Sequence, residues 1–189
     1  NENKNSERSI TSLFTKFYIY FRKLKSKKIS YFVGVSSYIS KFHTNNGFFE
    51  FSMKGYIYNA ITAKTIGSNP KAKLVAEKIL VGFMGGLRAS KGFVEFCNLA
   101  YKMKKTDPRL TFIAAGRFDS ESDELEKLAK FSNVECVGYV PSEGFIDLVD
   151  IAVLPIRWQE PFGRVIIDFA LNCVPVFTTR LGGVSELMD

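Results

Sequence analysis

The chain has one histidine, one tryptophan and three cysteines in 189 residues. Cys97, Cys136 and Cys173 lie far apart and form no C-x-x-C pair. With only His43 to join them, a zinc-type site is not expected. The thiols read instead as free and buried, in a reducing compartment. No run of about 18 apolar residues occurs, so no membrane-spanning helix is expected. Gly82, Gly85, Gly86 and Gly92 do not make a G-x-G-x-x-G fingerprint, and no P-loop is present. A D-x-D pair, which a metal-dependent sugar-nucleotide enzyme would use, is also missing. The chain starts at Asn1 without a signal-like segment and stops at Glu186-Leu187-Met188-Asp189, in what reads as a continuing helix. It therefore reads as a piece of a longer protein.

Charge is present but uneven. Residues 1–73 hold 13 Lys and Arg against 3 Asp and Glu, while residues 74–189 hold 13 against 16. The net charge of +7 therefore belongs to the first third, and a nucleic-acid reading of the whole chain is weak. The length suits one medium domain, or one domain plus part of another.

Residues 1–9 are polar and read as loose. Ile10, Leu13, Phe14, Phe17, Tyr18, Phe21 and Leu24 fall at helical spacing within 10–26. Ile29 to Val35 reads as a buried strand, and Ser36-Ser37 caps a helix ending near Phe42. Lys54 to Tyr58 reads as a short strand. The first segment is thus 1–58, followed by a polar linker over 59–73. From 74 to 189 strands and helices alternate. Strands are expected at Leu80–Met84, Leu110–Ala115, Val134–Val137, Ile151–Pro155 and Val174–Thr178. Helices are expected at Phe93–Lys104, Glu121–Lys130, Ser142–Val149 and Pro161–Asn172. Most of the strands are apolar throughout, which predicts an α/β fold: a Rossmann-like, doubly wound parallel sheet covered on both faces.

In such a sheet, ligands bind beyond the carboxyl ends of the strands. Four loops leave those ends: Gly85 to Lys91, Gly116 to Ser120, Gly138 to Ser142 and Ile156 to Gly163. Each leads into a helix N-terminus, which favours anions. Arg88 and Lys91 lie in the first loop and Arg117 in the second, so a phosphate-bearing ligand is indicated. Glu160-Pro161-Phe162-Gly163 places an acid at the mouth of the fourth loop, with Asp168 eight positions later. Core packing has no use for an acid at that mouth.

The ordered set resembles the donor-binding C-terminal domain of retaining GT-B glycosyltransferases of the group 1 family. Asn59-Ala60-Ile61 resembles the family's linker element, and Gly85-Gly86-Leu87 with Lys91-Gly92 its first loop. Ala115-Gly116 and Val137-Gly138-Tyr139-Val140 resemble its next two turns. Glu160 through Asp168 is similar to its paired-acid motif. Asn172-Cys173-Val174-Pro175-Val176 and Leu181-Gly182-Gly183 with Glu186 are similar to its last elements.

The resemblance implies roles. Glu160 is expected to hold donor-sugar hydroxyls, and the N–H groups of Phe162 and Gly163 to meet the sugar or diphosphate. Lys91 is expected to neutralise the diphosphate, Asp168 to bind ribose, and Tyr139 and Val140 to frame the base. Gly85 and Gly86 would line the diphosphate path, and Trp158, two positions before Glu160, would either wall the sugar pocket or simply pack, with packing favoured. Two departures stand out: Asp168 replaces the family's Glu, and Gly86 its Arg, with Arg88 expected to supply the missing cation. The implied activity is metal-independent sugar transfer, with retention, from a UDP- or GDP-sugar co-substrate to a carbohydrate or lipid-linked acceptor. No other cofactor is expected, and the setting would be glycoconjugate or polysaccharide synthesis in the cytoplasm. On this reading 1–58 is the end of an acceptor-side domain and 74–189 the donor-binding domain. The alternative is a non-catalytic nucleotide-sugar binding or partner subunit. Within 10–28, either the basic stretch and the aromatic stripe beside it touch an anionic membrane, or the helix packs its aromatic face inside a missing part of the first domain and leaves its basic end solvated; packing is favoured.

Overall fold

The computed structural model describes residues 2–61, 78–119 and 123–188, with side chains from Leu13 onward. The chain divides into two compact units, 1–58 and 59–189.

The first unit contains α1 (Glu2–Ser26), β1 (Tyr31–Gly34), α2 (Ser37–Asn45) and β2 (Met53–Tyr56). The two strands pair in parallel, with Tyr31 opposite Met53. Ser36 caps α2, its hydroxyl accepting the Ile39 N–H at 3.1 Å. The lone His43 is ringed by Phe32, Phe42, Phe48 and Phe49, a structural setting for an imidazole. Two expectations change here. Residues 2–9 continue α1, since no Gly or Pro interrupts them. β1 is not a buried strand: Tyr31 and Val33 are exposed, because a two-stranded sheet has one face covered by α2 and one open. The stripe from Leu13 to Leu24 is also exposed.

The second unit contains β3 (Ile79–Met84), α3 (Phe93–Thr106), β4 (Leu110–Ala115), α4 (Asp123–Phe131), β5 (Val134–Cys136), α5 (Ser142–Leu148), β6 (Ile151–Leu154), α6 (Arg164–Leu171) and β7 (Val176–Thr178). The sheet order is β5-β4-β3-β6-β7 and every pair is parallel. This is the doubly wound α/β sheet that the alternating pattern predicts. Phe83, Phe93, Phe96 and Phe112 form a cluster of edge-to-face and tilted rings linking β3, α3 and β4. Each such ring withdrawn from water contributes about 1.5–3 kcal/mol. On the α5 side, Gly82 lets Val149 approach so closely that a Cβ would sit 2.5 Å from its Cγ2.

Some boundaries move. α6 begins at Arg164 instead of Pro161, because Gly163 is left-handed at φ 86° and ends the turn before it. Glu160 to Gly163 is therefore loop. β7 begins at Val176, past Pro175, which has no N–H to give a ladder. The C-terminal segment is a 3₁₀ stretch, Gly182–Leu187, instead of an α-helix. Residues 62–73 of the expected linker, Ser120 at the end of the second loop and Glu121 at the start of the fourth helix lie outside the described residues. The thiols also differ from expectation. Cys97 is buried, Cys136 half-buried, and Cys173 exposed in the turn after α6. Burial pushes the Cys97 thiol up to about 12, so it stays protonated and inert.

Candidate donor-binding site

The chain leaves β3 toward β4 and β5 on one side of the sheet, and returns through β6 and β7 on the other. The loops after β3 and β6 diverge at this switch point and open a crevice. Backbone hydrogen bonds carry the alignment past the strand ends. Gly85 N–H donates to Ala115 O, Leu87 N–H to Arg117 O, and Gly116 N–H to Gly138 O. Arg157 N–H donates to Ser90 O at 3.0 Å, joining the β6 loop to the β3 loop. Gly183 N–H donates to Glu160 O at 2.7 Å, fixing the backbone of the acid. The loops thus form one continuous rim.

Two glycines make this rim possible. Gly92 lies at φ 87°, and a Cβ there would run into the Pro155 carbonyl. The turn carrying Lys91 therefore seats directly on the end of β6. Gly182 lies at φ 67°, where a Cβ would strike the Glu160 backbone.

Two cavities adjoin on the rim and share Met84, Gly85, Gly86 and Val165. The larger, about 890 Å³, is also lined by Arg88, Gly116, Arg117, Asp119, Tyr139 and Val140. The smaller, about 190 Å³, is lined by Lys91, Ile156, Glu160, Gly163 and Arg164 among others. In the smaller one, Lys91 Nζ lies 2.6 Å from Glu160 Oε2. Both side chains are largely withdrawn from solvent, at 28% and 16% exposure. A partly desolvated pair of this kind is held more firmly than a surface pair.

Of the sequence-nominated residues, Glu160, Lys91, Gly163, Gly85 and Gly86 therefore meet around the smaller cavity. Arg88, Tyr139 and Val140 meet around the larger. The Arg88 guanidinium folds back over Gly86, where a Cβ would lie 2.8 Å from Nε, and it pairs with Asp119 at 3.0 Å. Gly86 and Arg88 are thus a matched set: the missing side chain at 86 is the space the Arg88 head occupies. Arg117 stacks over the exposed Tyr139 ring at 5.0 Å. The Phe162 side chain is buried, as an anchor of the loop. Asp168 is not brought to either cavity. It sits in α6, 3.9 Å from Arg164 Nε, and burial raises its carboxyl above the ordinary range while Arg164 opposes the shift.

Asp119 and Arg157 were not singled out from the sequence, and Trp158 was expected to pack rather than to meet the charged groups. Asp119 orients Arg88, and Arg157 pairs with Glu95 at 2.6 Å. Trp158 touches both Lys91 and Glu160. The Arg157-Trp158 pair beside the acid was the available signal, but residues that hold other residues leave no motif.

Residues 78–189 match the family model described as glycosyl transferases group 1. A Klebsiella pneumoniae protein, described as an uncharacterized 42.6 kDa protein in the cps region, is 42% identical over 182 residues. That alignment covers 96% of this chain and 47% of the relative, so the chain spans about half the length of the relative. Among solved structures, Anabaena Alr3699/HepE in complex with UDP-glucose superposes with a TM-score of 0.67 at 26% identity, over 85% of this chain and 47% of that one. S. aureus TarM, solved with UDP, α-GlcNAc-glycerol and fondaparinux, gives a TM-score of 0.70 at 16% identity, over 87% and 33%. The family match, the parallel sheet order and the GT-B neighbours agree, and the chain belongs to the group 1 glycosyl transferases.

Proposed function

We propose that residues 59–189 bind a nucleoside-diphosphate sugar, UDP- or GDP-linked, for transfer to a carbohydrate or lipid-linked acceptor hydroxyl with retention. The observation that carries this reading is the meeting of Lys91 and Glu160 beside two adjoining cavities. A sugar-sized space joined to a larger space lined by arginines suits a sugar linked to a charged, nucleoside-sized group. Glu160 takes the sugar hydroxyls, and Phe162 and Gly163 present backbone N–H groups. Lys91 and Arg88 stabilise the leaving diphosphate, whose negative charge grows as the glycosidic bond breaks. These cations supply the stabilisation without a metal. Tyr139 and Val140 frame the base, and Asp168 reaches ribose by rearrangement of the Arg164 contact. HepE and TarM, whose structures hold UDP or UDP-glucose, support this choice of ligand class.

The chain spans about half of its curated relative, so it is proposed to bind donor while transferring sugar poorly by itself. The relative's place in a cps region supports polysaccharide synthesis as the setting. The test is calorimetric titration with UDP, GDP and ADP, each with magnesium and with EDTA. One diphosphate should bind with an affinity that changes less than about twofold on chelation, and raise the melting temperature by mass action. Silence toward all three would leave the non-catalytic reading.

A further inference from the structure

Trp158 lines neither cavity, yet it contacts both charged groups of the smaller one. Its indole Nε1–H donates to Glu160 Oε2 at 2.7 Å. The Lys91 ammonium lies over its ring, 4.4 Å from the centroid. Glu160 Oε2 thus receives two donors, Lys91 Nζ at 2.6 Å and the indole N–H. A carboxylate oxygen bound twice is fixed in rotation, which leaves Oε1 as the remaining acceptor in a set orientation. The cation–π contact likewise holds an otherwise flexible lysine in one place. Trp158 is itself held by its neighbour. The Arg157 backbone donates to Ser90 O, and its guanidinium pairs with Glu95 on α3 at 2.6 Å. The loop is therefore fastened to the β3 side immediately before the tryptophan.

We infer that Trp158 is a positioning residue that holds Glu160 and Lys91 as one unit. The sugar-facing acid and the diphosphate-facing cation are set together by one indole. The inference rests on the donor-site reading for its effect on binding, but the arrangement itself is open to a separate test. Trp158 is the only tryptophan of the chain, so a single indole N–H resonance and a single emission band report on it.

The experiment has two arms. In the first, the ¹⁵N-labelled full chain is compared with Glu160→Gln and Lys91→Met. The indole N–H resonance should move upfield in Glu160→Gln, as the carboxylate acceptor is replaced by an amide, and the emission should change in Lys91→Met. An indole unmoved by either change, in folded protein, overturns the inference. In the second, Trp158→Phe keeps the ring beneath Lys91 but removes the N–H. It should weaken nucleotide-sugar binding about tenfold, as expected for one lost hydrogen bond to a charged group, while the free nucleoside diphosphate binds within about twofold. Trp158→Ala, which also removes the ring, should weaken both ligands. Wild-type affinity for the nucleotide sugar in Trp158→Phe, or an equal loss for both ligands, overturns the inference. Failure of the wild-type chain to bind any nucleotide or nucleotide sugar overturns the donor reading instead, and the indole resonance still decides the arrangement.

Discussion

Lys91 and Glu160 are separated by 69 positions in the chain and 2.6 Å in space. One ends the loop after β3 and the other sits in the loop after β6, the two strands flanking the switch point. Their contact is where the winding of the sheet brings the candidate site together. Because both are largely shielded, removing one leaves the other poorly solvated. Lys91→Ala and Glu160→Ala should each lower stability by about 1 kcal/mol, and the double variant should lose less than their sum. A double-mutant cycle by chemical denaturation measures this, and strict additivity would deny the coupling.

Arg88 is proposed to supply, from two positions away, the cation that Gly86 does not provide. Arg88→Met should weaken nucleoside-diphosphate binding about tenfold and flatten its salt dependence. Gly86→Ala should weaken the same ligand, because its methyl group displaces the guanidinium. Calorimetry at two salt concentrations checks both. Unchanged affinity in Arg88→Met would remove it from the clamp.

Gly92 and Gly144 make a contrasting pair. Gly92 has a positive φ and lies against the Pro155 carbonyl, whereas Gly144 is within α5 with nothing inside 4 Å of an added Cβ. Gly92→Ala should cost roughly 2–4 kcal/mol and displace Lys91. Gly144→Ala should be neutral or stabilise by up to about 1 kcal/mol, since alanine is the better helix former. Equal melting temperatures for the two variants would contradict the placement of the Lys91 turn.

Asp168 gives a pH-dependent prediction. Burial raises its carboxyl above the unfolded value, outweighing the lowering by Arg164. Its stabilising contribution is full below the unfolded carboxylate range and is lost as pH rises through the folded value. Asp168→Asn removes that loss. The variant should match wild type near pH 3 and melt about 1–3 °C higher at pH 7. If Asp168 binds ribose, the same variant should bind nucleotide more weakly. A melting difference independent of pH would show that its charge is not the cause.

The sheet was legible because most of its strands are apolar throughout, as a covered parallel sheet requires, and β3, β4 and β5 run on to Gly85, Gly116 and Gly138. Glu160, Lys91 and the glycine rim were legible through their order along the chain. Other features were hidden for physical reasons. The start of α6 depends on a left-handed Gly163, which a periodicity argument does not see. The exposure of β1 depends on how many strands and helices cover it, not on its composition. Trp158 acts through contacts made only after β3 and β6 come together. Asp168 was nominated by motif spacing, yet its side chain is committed to its own helix.

The most direct measurement is calorimetric titration of UDP and GDP into the wild-type chain and into the Arg88→Met, Lys91→Met double variant. The wild type should bind one of the two, and the double variant should bind it at least about tenfold more weakly while staying folded, its melting temperature without ligand lowered no further than loss of the Lys91–Glu160 pair requires. Equal nucleotide affinity in the two proteins would contradict the claim that this crevice is a diphosphate-sugar site.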